Sequence, residues 1–108
     1  MEFNDYKQAI ETLFAEVENS VKYTKSIHWG LALTEESGEV AKAIKKIYVF
    51  NEFGEIQNLK EELGDVLMCL INIAYVNNLS FEEITELNFS KMMSRKTKLI
   101  NSRKQKWT

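Results

Sequence analysis

The chain has 108 residues, 44% of them hydrophobic, a formal net charge of −2, no proline, four glycines and a single cysteine. This length suits one domain with a core, and the scarcity of proline and glycine favours long helices over a turn-rich β fold. One cysteine rules out an internal disulfide, and the longest apolar stretch, Val66 to Ile71, is far too short to span a bilayer.

The amino end, Met1-Glu2-Phe3-Asn4-Asp5, lacks the basic start and apolar run of a signal peptide, so the expected location is the cytoplasm. The net charge hides an asymmetry. Residues 1–90 carry 16 acids and 7 bases, a net of −9, whereas 91–108 carry 7 bases and no acid, and the two sum to −2. A basic end on an acidic body can meet phosphates, nucleic acid or its own body, or it can be a solvated helix end favoured by the helix dipole. It lacks the interleaved aromatics that single-stranded nucleic acid would stack on, so nucleic acid is not the expected partner.

In chain order, residues 3–23 place apolar side chains at Phe3, Tyr6, Ile10, Leu13 or Phe14, Val17 and Val21. Steps of three and four are those of an amphipathic packing helix. Residues 24–30, Thr-Lys-Ser-Ile-His-Trp-Gly, interrupt this pattern and read as a connection. Within it, Trp29 can stack on a nucleobase or cap the core, and His28 can position a substrate or sit on the surface. The second predicted helix, 31–50, carries an apolar stripe of Leu31, Leu33, Val40, Ala43 or Ile44, and Ile47. Lys42, Lys45 and Lys46 lie opposite. Glu36 and Glu39 border the stripe instead, where a carboxylate is costly unless it binds something. Gly38 in mid-helix costs about 1 kcal/mol relative to Ala, which a close approach of another helix or a ligand would explain.

A turn is expected around Gly54, with a third helix starting near Asn58, where Asn58 and Glu61 have capping-box spacing. From Val66 to Val76 that helix is apolar almost all round, so it should be central or lie in a subunit interface. Cys69 falls inside this run as a small core residue. Asn77-Asn78 ends the helix. Ser80 and Glu83 then form a capping box, with Leu79 and Ile84 as a hydrophobic staple. The fourth helix runs through Leu87, Met92 or Met93, and Leu99 before giving way to a basic tail at about 97–108. The whole reads as one domain over 1–108.

The chemistry concentrates in two acidic motifs, Glu35-Glu36-Ser37-Gly38-Glu39 and Glu61-Glu62-Leu63-Gly64-Asp65. Glu36 with Glu39, and Glu62 with Asp65, are i, i+3 pairs. Such residues share a helix face with their Cβ atoms about 5–6 Å apart. Two antiparallel helices can aim all four at one point, where they cannot all stay ionised without a cation. Oxygen donors without His or Cys select Mg²⁺, Mn²⁺ or Ca²⁺.

This pair of motifs resembles the MazG-type nucleotide pyrophosphohydrolases of the all-α NTP pyrophosphatase superfamily. The superfamily pattern of Glu-x-x-Glu, a spacer and Glu-x-x-Asp is met by Glu36 to Glu39, 22 intervening residues, and Glu62 to Asp65. Asn88-Phe89-Ser90-Lys91 followed by Arg95-Lys96 extends the match, which runs from about residue 28 to 96. The resemblance implies an all-α, four-helix bundle-like fold, a homodimer or dimer of dimers with active sites near subunit interfaces, and hydrolysis of NTP or dNTP to the monophosphate and pyrophosphate. Glu36, Glu39, Glu62 and Asp65 would hold Mg²⁺, with Mn²⁺ as a substitute, and Glu36 or Glu39 would take the proton of the attacking water. Asn88 and Lys91 would contact phosphates or sugar, Arg95 and Lys96 are further candidates, and Trp29 and His28 are candidates for the base pocket.

Three rivals bear on the acidic motifs. They can be solvated helix faces. A di-iron carboxylate bundle would need Glu-x-x-His pairs, and the one histidine, His28, does not follow a Glu by three. A helical module that binds nucleotide or protein without turnover would not need all four acids.

Overall fold

The computed structural model describes residues 1–15 and 22–106. Among them are four α-helices, joined in one place by a single 3-10 turn, and no strand: α1 is Phe3–Ala15, α2 Lys22–Tyr48, the 3-10 turn Phe53–Glu55, α3 Ile56–Val76 and α4 Phe81–Lys106. The chain is all-α, as the sequence implies. It falls into two compact units, Met1–Asn78 and Leu79–Thr108.

In the first unit, α1 turns Tyr6, Ile10 and Phe14 inward and leaves Leu13 exposed, which resolves the choice between Leu13 and Phe14. Lys7 Nζ reaches Glu11 Oε1 at 3.3 Å across one turn. Val17 and Val21, expected to continue the stripe, lie outside the described residues.

α2 begins earlier than its pattern suggests. Residues 24–30 are not a connection but its first turns. Packing outweighs their weak propensity: the Trp29 ring meets Phe14 edge-on at 5.0 Å, and Ser26 Oγ accepts a hydrogen bond from Asn77 Nδ2 at 3.0 Å. The inward seam is Trp29, Leu33, Glu36, Val40, Ala43 and Ile47, alternating steps of four and three. Ala43 and Ile47 are fully buried, whereas Leu31 and Ile44 face outward, so Leu31 is not part of the stripe.

The turn after α2 is made by Asn51, whose φ of 58° is the left-handed conformation that Asn tolerates better than most residues. No described glycine, Gly54 included, has positive φ. Glu52 N–H closes the turn on Lys46 O at 2.9 Å. α3 then starts at Ile56 behind Glu55, which makes no side-chain cap. Asn58 and Glu61 are therefore inside the helix rather than at its start, and the expected capping box there does not form.

α3 is the axis of the unit, packed chiefly on α2 and also on α1. Cys69, Ile71, Asn72 and Ala74 are buried. Each large apolar side chain such as Ile71 contributes roughly 1.5–3 kcal/mol by burial. Leu63, Leu70 and Tyr75 remain substantially exposed. Asn72 satisfies its buried amide by donating to Met68 O at 3.0 Å. The helix stops at Asn77, and Asn78 takes φ 55°.

The second unit is α4. Ser80 caps it as expected, its Oγ accepting the Glu83 N–H at 3.4 Å. Leu79 and Ile84, the expected staple, both stay exposed. The helix does not fade after Leu99 but continues to Lys106. Among the described residues no single helix is long and apolar enough to cross a membrane.

Candidate metal centre

α2 and α3 run antiparallel. The Asn77–Ser26 hydrogen bond ties the end of α3 to the start of α2, so the beginning of α3 meets the middle of α2. That register brings Glu62 and Asp65 to Glu36. One carboxylate oxygen from each of Glu36, Glu62 and Asp65 lies within 4.8 Å of the others, and all three side chains are half-buried. Glu36 occupies a seam position between Leu33 and Val40. Glu62 and Asp65 occupy adjacent positions on the facing side of α3, one turn before its apolar run.

The electrostatics register this crowding. The Glu36 carboxyl is pushed above the ordinary carboxylate range, first by desolvation, then by the negative charges of Asp65 and Glu62, a hydrogen bond shared with Glu62, and the charge of Glu39. Among the described residues none of the three carboxylates has a Lys or Arg ion-pair partner. Half-buried like charges with no cationic side chain between them fit a hard divalent cation, and the all-oxygen donor set selects Mg²⁺, Mn²⁺ or Ca²⁺.

Glu39 differs from the other three. It is exposed and stands outside the group within 4.8 Å, acting on Glu36 only through its charge. Gly38, beside it, is not crowded within this chain: a Cβ there would meet no atom within 4 Å. The close approach expected at Gly38 is therefore absent from the chain itself.

Beneath the carboxylates lies Cys69, one turn after Asp65 and fully buried. Burial raises its thiol pKa, and the charges of Glu36 and Asp65 add to that, so the thiol is protonated at neutral pH. The sequence reading placed Cys69 in the core but not beside the acids; its i, i+4 spacing from Asp65 was the available signal.

Trp29 precedes Glu36 by two turns on the same seam, about 10 Å along the axis. It is half-buried between Phe14 and the exposed His28, whose ring meets it edge-on at 5.0 Å. The remaining candidates, Asn88, Lys91, Arg95 and Lys96, are exposed residues of α4 in the second unit. Asn88, Lys91 and Arg95 follow steps of three and four and share one face of that helix. Lys96, five residues after Lys91, lies on another face, between Met92, Met93, Leu99 and Ile100.

The profile of the MazG nucleotide pyrophosphohydrolase domain matches residues 26–100, well over half of the chain. The chain belongs to the MazG nucleotide pyrophosphohydrolase family. The match takes in both acidic motifs and the Asn88–Lys96 segment. No curated protein and no solved structure matches the chain significantly.

Proposed function

We propose that this MazG-family chain is a magnesium-dependent nucleoside triphosphate pyrophosphohydrolase that cleaves NTP or dNTP to the monophosphate and pyrophosphate. The observation that carries the reading is the meeting of Glu36, Glu62 and Asp65 oxygens within 4.8 Å. These are motif acids drawn from two helices, with no cationic side chain to neutralise them.

Glu36, Glu62 and Asp65 are the residues to hold Mg²⁺ or Mn²⁺, with Glu39 beside them. A divalent cation there supplies charge neutralisation for a triphosphate and acidifies water for attack on phosphorus. The side chains contribute the rest. Glu39 is free of the crowded group, so its carboxylate is available to accept the water's proton; Glu36, whose pKa is raised, is the other candidate. Asn88 and Lys91 serve the phosphates or sugar, with Arg95 on the same helix face; Lys and Arg offset charge developing on the pyrophosphate leaving group. Trp29 offers the aromatic face, and His28 the hydrogen-bonding group, for a base. The chain acts as a homodimer or dimer of dimers.

A screen of the common and damaged NTPs and dNTPs with Mg²⁺, reading pyrophosphate and orthophosphate separately, tests the reading. Release of pyrophosphate with the matching monophosphate is expected. Orthophosphate release alone would contradict the bond assignment, and nucleotide binding without turnover would identify a binding module instead.

A further inference from the structure

α4 is a 26-residue helix, about 39 Å long, that is exposed along almost its whole length. A solitary helix of this kind is only marginally stable in water. It nevertheless carries a continuous apolar stripe. Phe89, Met92, Met93, Leu99 and Ile100 recur at helical steps of three and four, with Phe89 63% and Leu99 52% exposed. Lys96 and Arg103 lie along the same stripe. An uncovered apolar surface of this length marks an interaction face.

The charges along α4 say what covers it. Residues 79–90 hold three acids, Glu82, Glu83 and Glu86, and no base; residues 91–108 hold seven bases and no acid. A parallel neighbour of the same sequence would set the basic halves side by side. An antiparallel one sets the acidic end of each helix beside the basic end of the other.

We propose that the apolar stripe of α4 pairs antiparallel with α4 of a second copy of this chain, across a two-fold axis. The stripe fixes a self-consistent register in which paired residue numbers sum to about 189. Phe89 of one copy then lies opposite Leu99 and Ile100 of the other. Met92 and Met93 meet the aliphatic stem of Lys96, whose ammonium reaches past them to water. Glu82 and Glu86 face Arg103 and Lys104. Every contact occurs twice, as an isologous interface requires. Asn88, Lys91 and Arg95 fall on a different face of the helix, so the pairing leaves that face open. The inference does not depend on catalysis.

Sedimentation velocity of the full chain over a concentration series, with charge-swapped variants, tests it. The wild type is expected to form a dimer or a larger even assembly. R103E with K104E should weaken association at least tenfold, and E82K with E86K should do the same. The chain carrying all four substitutions should recover to within about threefold of wild type, because opposite charges again face each other. Phe89→Asp should dissociate the pair. All these positions are exposed, so the fold should survive each change. A monomeric wild type would overturn the proposal. So would association unchanged by E82K with E86K, as expected if the basic end instead docks on the acidic residues 1–78, and so would failure of the fourfold variant to recover.

Discussion

Replacing Asp65 by Asn removes one charge from the carboxylate group while keeping its shape. Glu62 and Asp65 oxygens lie within 4.8 Å of each other. Two unit charges at that separation repel by roughly 1 kcal/mol in water and roughly 3 kcal/mol at the effective dielectric of a protein surface. Half-burial places this pair between the limits. Part of the gain is offset because the metal-free protein already relieves some repulsion by holding a proton on Glu36, whose pKa is raised. The metal-free Asp65→Asn protein should therefore be as stable as wild type or up to about 2 kcal/mol more stable in urea unfolding. Mg²⁺ should act in the opposite sense. At a hundred times its dissociation constant it stabilises the wild type by about 2.7 kcal/mol, a rise in Tm on the order of 10 °C for a domain of this size. Asp65→Asn should lose most of that rise. If these acids were solvated surface groups, Asp65→Asn would cost at most about 1 kcal/mol, and Mg²⁺ would shift neither protein. A destabilised variant with an unchanged Mg²⁺ response would refute the reasoning.

Glu36 sets a pH dependence. Its folded pKa is raised, so the native state holds the proton more tightly than the unfolded chain. This contribution is fully present below the ordinary carboxylate pKa and is lost as pH rises through the raised value. Metal-free stability should fall across that window in a urea titration, and Glu36→Gln should flatten the curve. Gly38 is helical with open space around its missing Cβ, so Gly38→Ala should add about 0.5–1 kcal/mol of stability. A loss of turnover in the same variant would show that a substrate or a second copy approaches there. Ile71→Ala removes a fully buried side chain on α3 and should cost about 2–5 kcal/mol in denaturant unfolding.

Much of the site was legible because helical spacing is a physical constraint. Glu62 and Asp65 three residues apart, and Glu36 on an apolar seam, must point toward the α2–α3 contact once those helices are antiparallel. Glu39 was less legible. The i, i+3 rule puts it on the same side as Glu36, but a shared side spans two or three positions, and the seam runs through Leu33, Glu36 and Val40, which leaves Glu39 outside. The start of α2 was misread because Thr24, Ser26 and Gly30 are poor helix formers locally. What holds those turns is long-range: Trp29 on Phe14 and Ser26 on Asn77, fifty-one residues apart. The turn after α2 was misassigned to Gly54 because glycine is the usual left-handed residue, and Asn51 takes that role here. The fourth helix outlasted its expected end because its basic residues suit a helix C-terminus and nothing between Leu99 and Lys106 breaks a helix.

The central claim is that the carboxylates of α2 and α3 form a metal centre for pyrophosphate release from a nucleoside triphosphate. The most direct measurement is pyrophosphate production by wild type and Asp65→Ala at saturating Mg²⁺, on the best substrate from the nucleotide screen, with circular dichroism confirming that both are folded. The expected result is Mg²⁺-dependent release by the wild type and none above background by Asp65→Ala. Full activity in folded Asp65→Ala would contradict it.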